Sequence, residues 1–423
     1  MLFLASRFAA MMRALKVAWK AGGAEFCRRL VEENLDEWKK IPLNVAVIGN
    51  SGVGKSTFIN AIRRLTADDE GAAAVGVTET TGVTELRSYT HPDNPMLKFW
   101  DLPGVGTDEF PKATYLSRID VDSYDFFLLI TAGRYTENDT WLCQEFRERN
   151  KKSFFVRTKI GQDLSSDKEA HPRTHDENAV MNKIRESTIK HLEEKGFKKV
   201  SVFLIDSHKV KQFQFEELEQ QLIKQFADRK REVVVLSLQS TCKRTLDVKV
   251  KELRHRIWKM AILSGFIAAV PLPGLSIGVD TGIATGETKF YMQQLGLDAA
   301  SLQRYANFYK LDYKKLVSIV NDALGVEAVG IDVATWLPLL LPDLLPYATA
   351  AQIATRVFLP LTIGGNIAMV YRSYHSTHLA LTVILNKFET VATKVDEFAV
   401  ENLCTAGSLE NAGPENESPR KDQ

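Results

Sequence analysis

The chain has 423 residues, 45% of them apolar and 25% charged, an ordinary composition for a folded protein. One hydrophobic core rarely serves more than roughly 250–300 residues, so two structural units are expected. Lys plus Arg number 54 against 53 for Asp plus Glu, which gives no basis for a nucleic-acid binder, and the four cysteines, none in a C-x-x-C pair, give none for a zinc or redox module and suit a reducing cytosol.

From Met1 to Lys40 apolar residues recur at spacings of three and four (Phe8, Met11, Leu15, then Phe26, Leu30), which predicts a helical segment broken near Gly22–Gly23. No basic residue precedes the apolar Met1–Leu4, and Arg7 and Arg13 break the stretch, so a signal peptide is not expected; Leu2 stands where N-myristoylation needs glycine. Short apolar runs at Leu43–Ile48, Leu97–Asp101, Asp125–Ile130, Ser153–Arg157 and Val200–Ile205 alternate with helical patterns at Asn138–Asn150, Asn178–Glu194 and Phe215–Phe226. This alternation predicts a doubly wound α/β sheet. Past Arg229 strand runs stop, and long helical patterns with frequent proline take over. The expected organisation is a helical segment over 1–40, a P-loop domain over 41–228, an all-helical domain over 229–400 against which the N-terminal helix packs, and a polar, disordered tail over 401–423.

The chemistry begins at Gly49-Asn50-Ser51-Gly52-Val53-Gly54-Lys55-Ser56, which fits G-x-x-x-x-G-K-[ST], with a strand before it and a helix after it. Glycines let successive backbone N–H groups turn toward phosphates, and the helix N-terminus adds its positive end. In this pattern Lys55 reaches β- and γ-phosphate oxygens and Ser56 ligates Mg2+, with Thr57 completing the binding stretch. Asp101-Leu102-Pro103-Gly104 ends a second strand run, where a carboxylate holds the metal through water and Gly104 lets its N–H approach the γ-phosphate. Between the two motifs lies Thr78-Glu79-Thr80-Thr81, from which a threonine is expected to complete the metal shell; composition leaves Thr78, Thr80, Thr81 and Thr84 open. Val105 follows Gly104 where small GTPases carry a water-orienting glutamine, so hydrolysis needs another group or is slow.

Phe155-Val156-Arg157-Thr158-Lys159 ends a strand where GTPases carry [NT]-K-x-D, whose carboxylate accepts two N–H bonds from guanine. Thr158 and Lys159 are present, but Gly161 stands at the carboxylate position. Asp163 and Asp206 are the candidates to replace it. The expectation is a retained but weakened guanine preference, sharpened by Gly161→Asp.

With these motifs in place, the chain resembles the immunity-related (interferon-inducible) GTPases, a dynamin-like group. The resemblance rests on the P-loop, Val77-Thr78-Glu79-Thr80-Thr81, Phe99-Trp100-Asp101-Leu102-Pro103-Gly104, Phe155–Lys159, Phe203-Leu204-Ile205, Gln212–Phe215, Pro271–Ser276 and Lys289-Phe290-Tyr291. It implies GTP/GDP and Mg2+ as ligands, Thr81 as the metal-ligating switch threonine beside Ser56 and Asp101, and Glu79 as the acidic switch residue acting with Lys55 in catalysis. By position Asp206-Ser207 stands beside the base, where the family often has Ser-Asn. It also implies self-association through the nucleotide faces, and a cytoplasmic protein peripherally attached to internal membranes in cell-autonomous immunity.

The remaining features read as structural. Ala261–Val279 carries no charge but is broken by Pro271, Pro273 and Gly274, which fits a buried helical hairpin better than a membrane span. Val357–Tyr371 fits a core helix pair first and an amphipathic membrane contact second. His375 and His378 lack a nearby third ligand, and Arg229-Lys230-Arg231 reads as a solvated linker. Two competing functions remain beside GTP hydrolysis: a nucleotide-loaded scaffold with negligible turnover, and an ATP-using enzyme permitted by Gly161.

Overall fold

The computed structural model describes residues 2–76, 86–133, 135–197, 200–226, 228–238, 243–268, 275–344 and 363–411. The metal and catalytic candidates Thr81 and Glu79 therefore lie outside the described residues, as do the alternative threonines, Pro271–Gly274 and Val357–Thr362.

The chain opens with α1 (Leu2–Leu35), interrupted by non-helical geometry at Gly22 and Gly23, and a 3-10 turn at Glu37–Lys40. The nucleotide-binding unit follows: β1 (Leu43–Ile48), α2 (Lys55–Ile62), β2 (Arg87–His91), β3 (Asn94–Asp101), α3 (Tyr115–Ile119), β4 (Phe126–Thr131), α4 (Glu137–Glu148), β5 (Ser153–Arg157), α5 (Ile160–Ala170), α6 (Glu177–Glu194), β6 (Val202–Leu204) and α7 (Phe215–Gln225). Its six strands lie in the order β2-β3-β1-β4-β5-β6, and only the β2–β3 pair is antiparallel. β1 and β4 are apolar almost throughout because a central parallel strand is covered on both faces. One face seats Val45, Val47, Phe99 and Leu128; the other seats Ala46, Ile48, Phe127 and Leu129.

The helical unit consists of α8 (Asp228–Ser237), α9 (Lys243–Ala268), α10 (Leu275–Gln294), α11 (Ala299–Tyr309), α12 (Tyr313–Leu324), α13 (Val333–Leu344) and α14 (Ile363–Asn411). α9 packs along α14, α1 and α10, so both chain ends build this unit. Its core is continuous with one face of the sheet through Phe215, Phe226 and Val233. Polar side chains tie the two units as well. Arg64, paired with Glu219 of α7 at 2.8 Å, lays its guanidinium over Phe308 of α11 as well as over Phe215. Asp93 at the β2–β3 tip pairs with Arg304, and Asn94 donates to Ser237 Oγ.

Four points differ from the sequence reading. β2 and α5 were not legible: β2 has the mixed burial of an edge strand, and α5 starts immediately after the base motif. Arg229–Arg231 belongs to α8 rather than to a linker, and Lys230 pairs with Asp125 beside β4. The start of the tail expected to be disordered from 401 is helical, because α14 continues to Asn411, with Asn402 Nδ2 donating to Phe398 O within the helix. Ala261–Ala268 finishes α9 and Leu275 starts α10; among the described residues no helix is long and apolar enough to cross a membrane. Tyr374 stacks on His378, and no metal-competent cluster occurs among the described residues.

Candidate nucleotide site

The C-terminal ends of β1, β3, β5 and β6 bring the P-loop, Asp101–Gly104, Thr158–Lys159 and Asp206–Ser207 to one edge of the sheet, where parallel α/β folds bind ligands. The loop from Gly49 to Gly54 joins β1 to α2. A Cβ on Gly49 would come within 2.1 Å of Ile130 O, so only glycine lets β1 leave the sheet beside β4. Gly52 and Gly54 take φ of +76° and +93°, a region that costs other residues strain. Ser51 is exposed at the loop's tip, Asn50, Ser56 and Thr57 are half-buried, and Val53 is buried. Lys55 opens α2 and folds back, its ammonium donating to Gly49 O at 3.0 Å and Asn50 O at 3.2 Å. Burial depresses its pKa, and the negative charge of Asp101 works in the opposite direction. A desolvated cation wrapped in its own loop is poised for phosphate oxygens to replace those carbonyls.

Ser56 Oγ donates to Asp101 Oδ2 at 2.9 Å. Asp101 is only 1% exposed; its Oδ1 lacks a hydrogen-bond partner and lies 4.0 Å from Lys55 Nζ. Burial raises its pKa, opposed by Lys55 and the Ser56 hydrogen bond. A buried carboxylate oxygen left without a donor beside a serine hydroxyl is the donor set that Mg2+ takes in P-loop proteins, so the residues present fit the cation. Gly104 packs on the loop: a Cβ there would sit in van der Waals contact, 3.5 Å from both Asn50 Cα and Gly49 O.

Beyond Gly104 the chain turns away. Val105 is buried, its carbonyl accepts from Asn138 Nδ2 at 2.9 Å, and Gly106 has φ +87°. Nothing at Val105 can orient a water.

At the base end, Thr158 Oγ1 donates to Val53 O at 2.6 Å, which ties the base motif to the phosphate loop. Lys159 takes left-handed backbone geometry (φ +60°) and its side chain is exposed, free to lie over a base. The two replacement carboxylates are now distinguished. Asp163 is held by Arg157, Nη2 to Oδ2 at 2.6 Å. Asp206 lies directly over Gly161: a Cβ at 161 would come 2.4 Å from Asp206 Oδ2. Its other oxygen accepts from His208 N at 2.9 Å, which fixes the carboxylate in a tight turn. Ser207 Oγ, beside it, is buried without a partner. The space left empty by glycine is filled by an aspartate from the next strand end, a relation between residues far apart in sequence that no linear motif contains.

A model of the Interferon-inducible GTPase (IIGP) family matches residues 10–321, from α1 through most of α12. The chain belongs to that family. Interferon-gamma-inducible GTPase 10 of Mus musculus is 34% identical over 69% of this chain and 69% of its own length. Interferon-inducible GTPase 1 of Mus musculus is 32% identical over 74% of this chain and 75% of its own. Interferon-inducible GTPase 5 of Rattus norvegicus is 31% identical over 95% of this chain and 86% of its own, so that similarity takes in α13 and α14 as well. As an interferon-inducible GTPase the chain is an acid-anhydride hydrolase by family.

Proposed function

We propose that the protein binds GTP with Mg2+ across the edge formed by Gly49–Thr57, Gly104, Thr158, Lys159, Asp206 and Ser207, and hydrolyses it to GDP in a cell-autonomous immune role. The observation that carries this is the buried Ser56–Asp101 pair beside the folded-back Lys55. Ser56 and Asp101 would hold the cation, with Thr81 from the switch segment as a third ligand. When bound, the cation offsets charge on the β- and γ-phosphate oxygens. Lys55 neutralises the same oxygens, and the exposed stem of Lys159 covers the base. Lys55→Ala should weaken GTP binding tenfold or more, since a hydrogen bond to a charged group contributes about 1.5–3 kcal/mol, and should abolish turnover. Unchanged GTP affinity and rate in this variant would remove the assignment.

The buried Val105 supplies no water-orienting group, so the missing element comes from a second copy meeting the first through the nucleotide face, with Glu79 as the contributing residue. Turnover per molecule should rise with protein concentration, and Glu79→Ala should suppress the rise; a flat profile would count against it. The same valine supports a second reading, a nucleotide-loaded scaffold, which a multiple-turnover assay at high protein concentration separates.

Membrane contact is peripheral and reversible in this proposal. α1 exposes Val17, Trp19 and Phe26, and Met12, Leu15, Trp19, Ile262 and Phe266 line an apolar hollow of about 420 Å³ edged by Lys16 and Lys20. Apolar residues flanked by lysines suit the headgroup boundary of an internal membrane. A carbonate wash should release the protein; retention would oppose a peripheral contact.

A further inference from the structure

A second cavity, of about 500 Å³, opens between α6 and the ends of β4 and β5. Its inner wall is polar and incompletely paired. Arg157 ends β5 with its Nη1 atom buried and without a partner, while the other branch of the fork holds Asp163. Tyr135, 5% exposed, presents a buried hydroxyl that bonds to nothing. His191 Nε2 is likewise buried and unpartnered. Three orphaned polar groups around one cavity are uncommon, because each costs desolvation without return.

The rim adds mostly positive charge. Lys183, Ser187 and Lys190 recur at helical spacing along α6, so one face of that helix points its donors at the opening. Glu194 is the single acid among the lining residues. Gly133 keeps the far side low: its Cβ would meet only Arg157 Nη1, at 3.7 Å. The volume lies in the range of small-ligand sites and exceeds what a bare phosphate fills.

We propose that this cavity is a second anion site, which takes a soluble phosphomonoester with a small polar body. Arg157 and Tyr135 receive the phosphate oxygens from inside, and Lys183 and Lys190 hold them at the rim. The guanidinium fork suits this role, since one branch stays on Asp163 while the other points to the ligand. The site is separate from the phosphate loop and does not depend on how GTP is used there.

The test is calorimetric titration of ribose 5-phosphate into the full chain already loaded with GDP and Mg2+, with ribose as the uncharged control. Saturable binding to ribose 5-phosphate alone is expected. Tyr135→Phe keeps the ring that packs edge-on against Phe155 and removes only the hydroxyl. It should weaken binding about tenfold, as should Lys183→Ala with Lys190→Ala, with GDP affinity unchanged. No saturable binding would overturn the proposal, as would binding that neither variant weakens. Attachment to phosphatidic acid in phosphatidylcholine vesicles without a response to ribose 5-phosphate would overturn a soluble ligand.

Discussion

In the proposed GTP site, Asp206 is the residue on which base selection turns. Guanine offers two N–H donors on one edge, and a carboxylate accepts both. Each bond to a charged group contributes about 1.5–3 kcal/mol, so the pair contributes about 3–6 kcal/mol, or about 10²–10⁴-fold in affinity. Asp206→Asn presents one acceptor and one donor. Xanthine matches that pattern, because it keeps one N–H and carries an oxygen in place of the amino group. GTP affinity should therefore fall by that range while XTP affinity rises. Gly161 provides an independent route to the same carboxylate. A Cβ there would lie 2.4 Å from Asp206 Oδ2, far inside van der Waals contact, with Asp206 Cγ at 3.5 Å and Lys209 Cδ at 3.9 Å. Gly161→Ala should turn the carboxylate aside and lose GTP affinity without removing a polar group. Gly161→Asp, which the linear motif suggests should sharpen guanine preference, instead sets two carboxylates in one space, and like charges so close raise each other's pKa. The assay is a set of dissociation constants for GTP, ATP and XTP in wild type and the three variants. Unaltered GTP-over-XTP discrimination in Asp206→Asn, together with near wild-type GTP affinity in Gly161→Ala, would refute the reasoning.

Other consequences concern stability. His91 is buried at the β2–β3 tip with Nε2 unpartnered, and its pKa lies well below 6.5 because of burial first, then the positive charges of Lys249, Arg63, Arg304 and Arg64. The unfolded chain binds a proton there near pH 6.5 while the folded chain does not, so this contribution is fully present above that pH and is lost as pH falls below it, by at most about 1.4 kcal/mol per pH unit. His91→Gln should flatten the decline in urea midpoint between pH 6.5 and 5; an unchanged slope would show that His91 is not its source. Arg64 and Glu219 are each 1% exposed, so Glu219→Gln leaves a buried guanidinium without its counter-charge and should cost about 3–5 kcal/mol in denaturant unfolding. A cost below about 1 kcal/mol would mean that Arg64 is satisfied by the rings of Phe215 and Phe308 and by backbone instead.

How far the sequence could be read depended on how local each feature is. The P-loop lies in one stretch, its glycines answer to backbone geometry within that stretch, and the strand and helix around it carry their own periodicity; all of this is legible. Asp101 was legible for the same reason, since a run of alternating apolar residues must end somewhere and ends there. β2 was missed because an edge strand with exposed Arg87 and Ser88 carries no apolar period. The base site illustrates the other limit. Read along the chain, Gly161 is a lost carboxylate and Asp163 its nearest substitute. In the fold, Ile160 N donates to Ile205 O, which brings the turn after β5 against the turn after β6. That bond, with Ile205 N donating to Arg157 O at 2.8 Å, brings Asp206 over Gly161, while Asp163 pairs with Arg157. The absence at 161 and the carboxylate at 206 are thus one feature: with Asp206 in place, glycine is the residue that leaves room for it, and with glycine in place, Asp206 is the carboxylate proposed to read the base.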